Sequence, residues 1–190
     1  MDIVFFKQVL LLMLVMVAVV IDWRTTKIPN LLTFPGAIFG VILNYIVTDW
    51  HGALMACAGW LVAALVTVFL GNLPLGPGAR VSGIGMGDAK LLAMVGAFLG
   101  PKSALITILY FCLFFGLMSL IVLATKIPWK QVRVLITTAI FDGDVSGLSI
   151  DTTKLTEQRT APIPISIAVL VATAMTIFYL PQTLAFLGLH

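Results

Sequence analysis

Apolar residues arrive in long, nearly uninterrupted runs in this chain, and that limits its fold more than any motif does. The runs cover residues 3–21, 31–47, 53–70, 103–125 and 162–180, with polar or glycine-rich connections between them. The connection 71–87, which holds Pro74, Pro77 and several glycines, is expected to lack regular structure. A bilayer core of about 30 Å takes about 20 apolar residues as a helix. Inside that core a helix or a closed barrel is the only way to satisfy every backbone polar group. A further run at 89–99 ends at Gly100-Pro101 and is too short to cross upright, so it is expected to extend, tilt or sit partly in the interface. The chain is 61% hydrophobic and 10% charged, against about 45–50% and about 25% in soluble domains. The expected fold is an all-α integral membrane protein with six transmembrane helices, the fourth short. It forms a single polytopic domain over residues 1–190.

The first run has no basic segment before it and no small-x-small cleavage site, so it reads as a retained span and not as a signal peptide. The distribution of Lys and Arg gives an orientation, because loops that hold them stay in the cytoplasm. With six crossings, one side carries Arg24, Lys27, Arg80, Lys90, Lys126, Lys130, Arg133, Lys154 and Arg159, and the other only Lys7 and Lys102. The crowded side is therefore expected to be cytoplasmic, with the N-terminus and C-terminus both outside. Trp23, Trp50 and Trp129 lie at expected boundaries, where amphipathic rings favour the headgroup level, and Trp60 falls within a span as packing. A formal charge of +3 is too mild to imply a nucleic-acid partner. Cys57 and Cys112 fall inside apolar runs and are expected to pack there as small buried hydrophobes. No C-x-x-C pair is present, and no metal site or cofactor is expected.

Two acids stand out against this background. Asp22 ends the first run and Asp88 precedes the fourth, within Gly85-Met86-Gly87-Asp88, and both fall on the expected cytoplasmic side. A carboxylate at the edge of hydrocarbon is expensive and points to function. The alternative for each acid is structural: Asp88 could cap the helix that follows it, and Asp22 could pair with Arg24. Facing carboxylates cannot readily both ionise, so one keeps a proton while the other acts as a base. Such a pair can activate water against a peptide carbonyl without a metal or a covalent intermediate. The residues leave open which aspartate is the acid. Gly85 and Gly87 are expected to permit positive φ and a close backbone approach for a bound chain. A phosphate loop is excluded, because no Gly-Lys-Ser/Thr follows the glycines.

Asp22-Trp23-Arg24-Thr25-Thr26-Lys27-Ile28-Pro29-Asn30 resembles the first motif of the type IV prepilin peptidases, and Gly85-Met86-Gly87-Asp88-Ala89-Lys90-Leu91-Leu92 resembles their second, the GxGD motif. Ala161-Pro162-Ile163-Pro164 is similar to their Pro-rich approach to the last helix. The resemblance implies an aspartic endopeptidase with Asp22 and Asp88 as its catalytic pair. Its substrate would be the basic leader of membrane-inserted type IV prepilins or pseudopilins, cut at the cytoplasmic face of the bacterial inner membrane. The chain starts directly in a span, so it resembles the short peptidase-only members of Flp, or tight-adherence, pili, and methyltransferase activity is not implied. Archaeal preflagellin peptidases share the motif pair. Presenilin-type GxGD proteases resemble the chain less, because their partner Asp sits in a Tyr-Asp pair. The rival class is a non-enzymatic transporter or pilus assembly component that uses the same acids to bind protons or ions.

Neighbouring residues take supporting roles. Pro29 suits the start of the second helix, and Asn30 is placed to bond backbone near the site. Lys90 is expected to snorkel to the interface, with electrostatic tuning of the acids as its alternative. Basic residues on the cytoplasmic side meet the lipid bilayer. Asp142-Gly143-Asp144-Val145-Ser146-Gly147 looks like the start of a calcium loop, but Thr153 stands where such loops place a bidentate Glu, so it reads as a turn. The apolar stretch 132–141 before it suits the membrane surface or a strand. His51 and His190 are isolated and carry no assigned chemistry.

Overall fold

The computed structural model describes residues 3–25, 27–72, 74–76, 79–80, 85–126 and 165–186. It contains helices α1 (Ile3–Thr25), α2 (Asn30–Gly71), α3 (Met86–Leu99), α4 (Pro101–Lys126) and α5 (Ser166–Phe186). The chain divides into two compact units. One is Met1–Phe115 with Pro164–His190, and the other is Gly116–Ile163, whose described part is the end of α4. Among the described residues three helical stretches are long and apolar enough to cross a membrane: Ile3–Thr25, Asn30–Gly71 and Pro101–Ile121. A shorter apolar stretch, Ser166–Leu180, lies in α5.

α2 has 42 residues, about twice what one crossing takes. Its helical geometry breaks at Thr48 and at Asp49, which has φ 54° and ψ −147°. Asp is among the few residue types that visit positive φ with some frequency. Gly52 lies directly against the Asn44 carbonyl and the Thr48 hydroxyl, where a Cβ would collide. The contacts to α3 give the direction of each arm. In the first arm Gly36 meets Met94 and Gly40 meets Phe98, so that arm runs parallel to α3. In the second arm Gly59 meets Gly96 and Gly100, while Trp60, Ala64 and Val68 line one cleft with Met86, Ala89 and Ala93. That arm runs antiparallel. The expected segments 31–47 and 53–70 are thus two arms of a helix that folds back at Thr48–Asp49.

α3 is the central element of this unit. Residues 91–98 are all buried, and the main apolar core gathers Leu11 and Val15 of α1, Ala37 of α2, Met94 and Phe98 of α3, Phe111 of α4 and Val169 of α5. Its 14 residues extend about 21 Å, less than a bilayer core. The neighbouring helices cover it, so its own length does not have to match the hydrocarbon. Its far end is held by Asn44, whose Nδ2 donates to the carbonyls of Gly40 (2.9 Å), Ala97 (2.9 Å) and Phe98 (3.1 Å). The Lys7 ammonium donates to Asn44 Oδ1 at 2.9 Å. Two unpaired carbonyls at the C-terminus of α3 are thereby satisfied, as an interior helix end requires. Thr107 of α4 and Thr176 of α5 join at 3.0 Å.

Three expectations change. Cys57 and Cys112 are exposed on the outside of their helices. A lipid-facing position is as apolar as a core position, so hydrophobicity does not distinguish them. The connection 71–87, expected to lack regular structure, carries two short strands, β1 (Pro74–Gly76) and β2 (Ala79–Arg80), paired antiparallel with Pro74 opposite Arg80 and Gly76 opposite Ala79. Pro77-Gly78, a strong turn dipeptide, stands between them in sequence. Trp60, expected as packing within a span, is exposed on the cleft. Trp23 and Trp50 are largely exposed. Trp129, His190, the stretch 132–141 and the turn at 142–147 lie outside the described residues.

Candidate active site

Three helix ends supply the polar groups at one end of this unit. Asp22 lies in the last turn of α1, Asp88 in the first turn of α3, and Ser166 opens α5. Asp88 is 7% exposed. Its Oδ2 accepts the Gly85 N–H at 3.0 Å, and its own N–H donates to the Gly85 carbonyl at 3.1 Å. The structural expectation for Asp88 is therefore met: it caps α3. Capping does not quench it, because Asp88 stands at the polar boundary before the apolar run of α3, and burial raises its carboxyl to about 6. The Gly85 hydrogen bond acts in the opposite direction, and the charge of Asp22 adds a further upward push. Asp22 and Asp88 are thus close enough to act on each other.

Asp22 has a different environment. It is partly exposed, and its Oδ2 accepts the Ser166 hydroxyl at 2.6 Å. Ser166 itself is fully buried. The α1 C-terminus is the negative end of a helix dipole and disfavours a carboxylate, while the α3 N-terminus favours one. Each such effect is worth about 0.3–1 kcal/mol at exposed sites. The upward shift at Asp88 persists against that favourable dipole, so burial dominates there.

Gly85 has φ −78° and ψ 159°, and among the described residues the glycine with positive φ is Gly100. The expectation of positive φ at Gly85 and Gly87 is corrected. The absence of a side chain matters for a different reason at Gly85, where a Cβ would stand 3.2 Å from Asp88 Oδ2 and crowd the carboxylate. At Gly87 a Cβ would meet the Ile28 side chain at 3.4–3.7 Å, ordinary contact, so this glycine lies beside the Ile28-Pro29-Asn30 segment.

Pro29 takes the position before the first helical residue of α2, and its carbonyl accepts the Leu32 N–H at 3.1 Å. The Lys90 ammonium donates to Asn30 Oδ1 at 2.8 Å. Lys90 therefore ties α3 to the start of α2, where snorkelling was expected, and Asn30 bonds a side chain where backbone was expected. Lys90 also lines a largely apolar cleft of about 210 Å³ with Phe34, Trp60, Val68 and Met86. Among the described residues no group of three His, Cys, Asp or Glu side chains is arranged to hold a metal ion.

Sequence reasoning missed Ser166. The available signal was its place two residues after Ala161-Pro162-Ile163-Pro164, as a small hydroxyl where an apolar run begins. The arrangement provides a buried carboxyl raised to about 6, on which the charge of a second acid acts, and that second acid accepts a hydroxyl donor. Among comparisons with known proteins, the profile described as the type IV leader peptidase family matches residues 9–120, which include both aspartates, the Ile28-Pro29-Asn30 segment and Gly85 to Lys90. Curated proteins and solved structures give no match.

Proposed function

Given that the chain belongs to the type IV leader peptidase family, we propose that it is an aspartic endopeptidase that removes the basic leader from type IV prepilins or pseudopilins. Its apolar helices and its family make it a membrane protein. We place it in the bacterial inner membrane with six crossings, both termini outside, and the site on the cytoplasmic side. The observation that carries the reading is the juxtaposition of Asp88, buried and raised to about 6, with a second carboxylate whose charge acts on it.

Hydrolysis by such a pair balances without another reactant. The ionised carboxylate takes a proton from water as the water oxygen bonds to the peptide carbon. The protonated carboxyl gives its proton to the carbonyl oxygen, which forms a tetrahedral diol. On collapse the C–N bond breaks, the proton taken from water goes to the leaving nitrogen, and a diol proton returns to the other carboxylate. The products are the leader with a new carboxyl terminus and the mature chain with a new amino terminus. Low dielectric around a buried acid raises the share of it that holds a proton above that of an ordinary aspartate.

Co-expression with a prepilin substrate tests this reading. Wild type removes the leader, whereas Asp22→Asn and Asp88→Asn accumulate full-length prepilin at unchanged membrane levels of the enzyme. Leader removal at the wild-type rate by either inserted variant, or no removal by wild type on any prepilin, contradicts the reading. The second result is what a transporter would give.

A further inference from the structure

We propose that Ser166 is a positioning residue that fixes the roles of the two aspartates: its hydroxyl holds Asp22 as the ionised base and leaves the shared proton on Asp88. The inference rests on the dyad reading above and deepens it.

The geometry is specific. The Ser166 hydroxyl has one proton, and it is spent on Asp22 Oδ2 at 2.6 Å, a short distance typical of donation to an ionised oxygen. Ser166 is fully buried, so packing holds its hydroxyl in one place against that oxygen. α5 packs on α1, which fixes the two helix ends relative to each other. The α1 dipole opposes a negative charge on Asp22, and a donor from a third helix offsets that opposition. With Oδ2 occupied, Oδ1 of Asp22 is the oxygen left to take the proton from water.

The surroundings favour the same division. Asp88 is the more buried of the two acids and its carboxyl is raised, so the proton belongs there. Arg24 and Lys27 are exposed on and after α1, and Lys90 of α3 is engaged by Asn30. The described part of α5 has no acidic or basic side chain. The start of α2 contributes Asn30 and Thr33, neither of which titrates in this range. Among the described residues Ser166 is thus a hydroxyl donor bonded to Asp22 and not to Asp88.

The test is the pH–rate profile of leader cleavage by purified protein in detergent, for wild type, Ser166→Ala and Ser166→Thr. Ser166→Ala removes a hydroxyl and leaves no cavity to fill. Loss of a hydrogen bond to a charged group lowers kcat roughly ten- to hundredfold with little change in KM. The acid limb, which reports ionisation of the base, moves up by about one pH unit. Ser166→Thr keeps the hydroxyl and restores the wild-type limb. An acid limb unchanged in Ser166→Ala overturns the proposal, as does a shift confined to the alkaline limb, which would put the proton on Asp22. If Ser166→Ala does not insert, the ¹³C carboxyl titration of Asp22 and Asp88 in the wild type decides. The proposal requires Asp22 to ionise first, and the reverse order overturns it. Failure of the wild type to cleave any prepilin would instead overturn the dyad reading itself.

Discussion

Asp88 is 7% exposed and its carboxyl is raised to about 6, although the Gly85 N–H and its place in the first turn of α3 both favour its charged form. This has a consequence for stability. Below the ordinary aspartate value of 3.8, Asp88 is protonated in both the folded and unfolded chain. Between 3.8 and about 6 the folded chain holds a proton that the unfolded chain has lost, so stability falls as pH rises. Above about 6 both are ionised, and the full penalty is present, on the order of 3 kcal/mol. This sign is opposite to that of a carboxylate in a salt bridge. Asp88→Asn is therefore expected to raise thermal stability in detergent at pH 7–8 and to flatten its pH dependence between about 4 and 6, as followed by thermal unfolding across pH. An Asp88→Asn variant less stable than wild type at pH 8 would contradict burial as the cause. Site residues of this kind trade stability for chemistry.

Helix packing around α3 depends on small residues. A Cβ built on Gly96 would collide with the Gly59 carbonyl and stand 3.0 Å from the Ala63 methyl, and a Cβ on Gly59 would collide with the Gly96 carbonyl. Backbone cannot yield as a flexible side chain does. Gly96→Ala is expected to destabilise the fold by roughly 1–3 kcal/mol, read as a lowered Tm and reduced accumulation in the membrane. Wild-type Tm in that variant would mean the α2–α3 crossing is looser than described. The apolar runs and the break between 47 and 53 were legible because crossing length and backbone satisfaction are strict physical limits. The interior was not. Leu31, Leu65 and Phe69 are exposed while Thr67, Thr173 and Thr176 are buried, which reverses the soluble pattern because lipid accepts apolar side chains as readily as a core does. Asp22 and Asp88 were legible because charge at the edge of hydrocarbon is rare. Ser166 and Asn44 were not, since a single Ser or Asn near an apolar run is a weak signal until a second helix comes within hydrogen-bond reach.

For the molecule as a whole, the site and the basic residues share an end of the described unit. Asp22 and Asp88 stand near Arg24, Lys27 and Lys90, whereas Lys7 bonds Asn44 towards the Thr48–Asp49 break. Retention of basic loops in the cytoplasm then supports a cytoplasmic dyad. In a variant with Cys57 and Cys112 replaced by Ala, a change these exposed positions are expected to tolerate, a cysteine at Lys27 should label from the cytoplasmic side only, and one at Lys102 from the opposite side only. Labelling of both from one side would overturn the proposed topology. Two carboxylates are proposed to work as one unit, and single-turnover cleavage of a prepilin by the purified, bilayer-reconstituted enzyme tests this most directly. Wild type should cut, and Asp22→Asn and Asp88→Asn should each lose at least about a hundredfold in rate, with the double variant losing little more than either alone. Near-wild-type cleavage by either single variant would contradict the account.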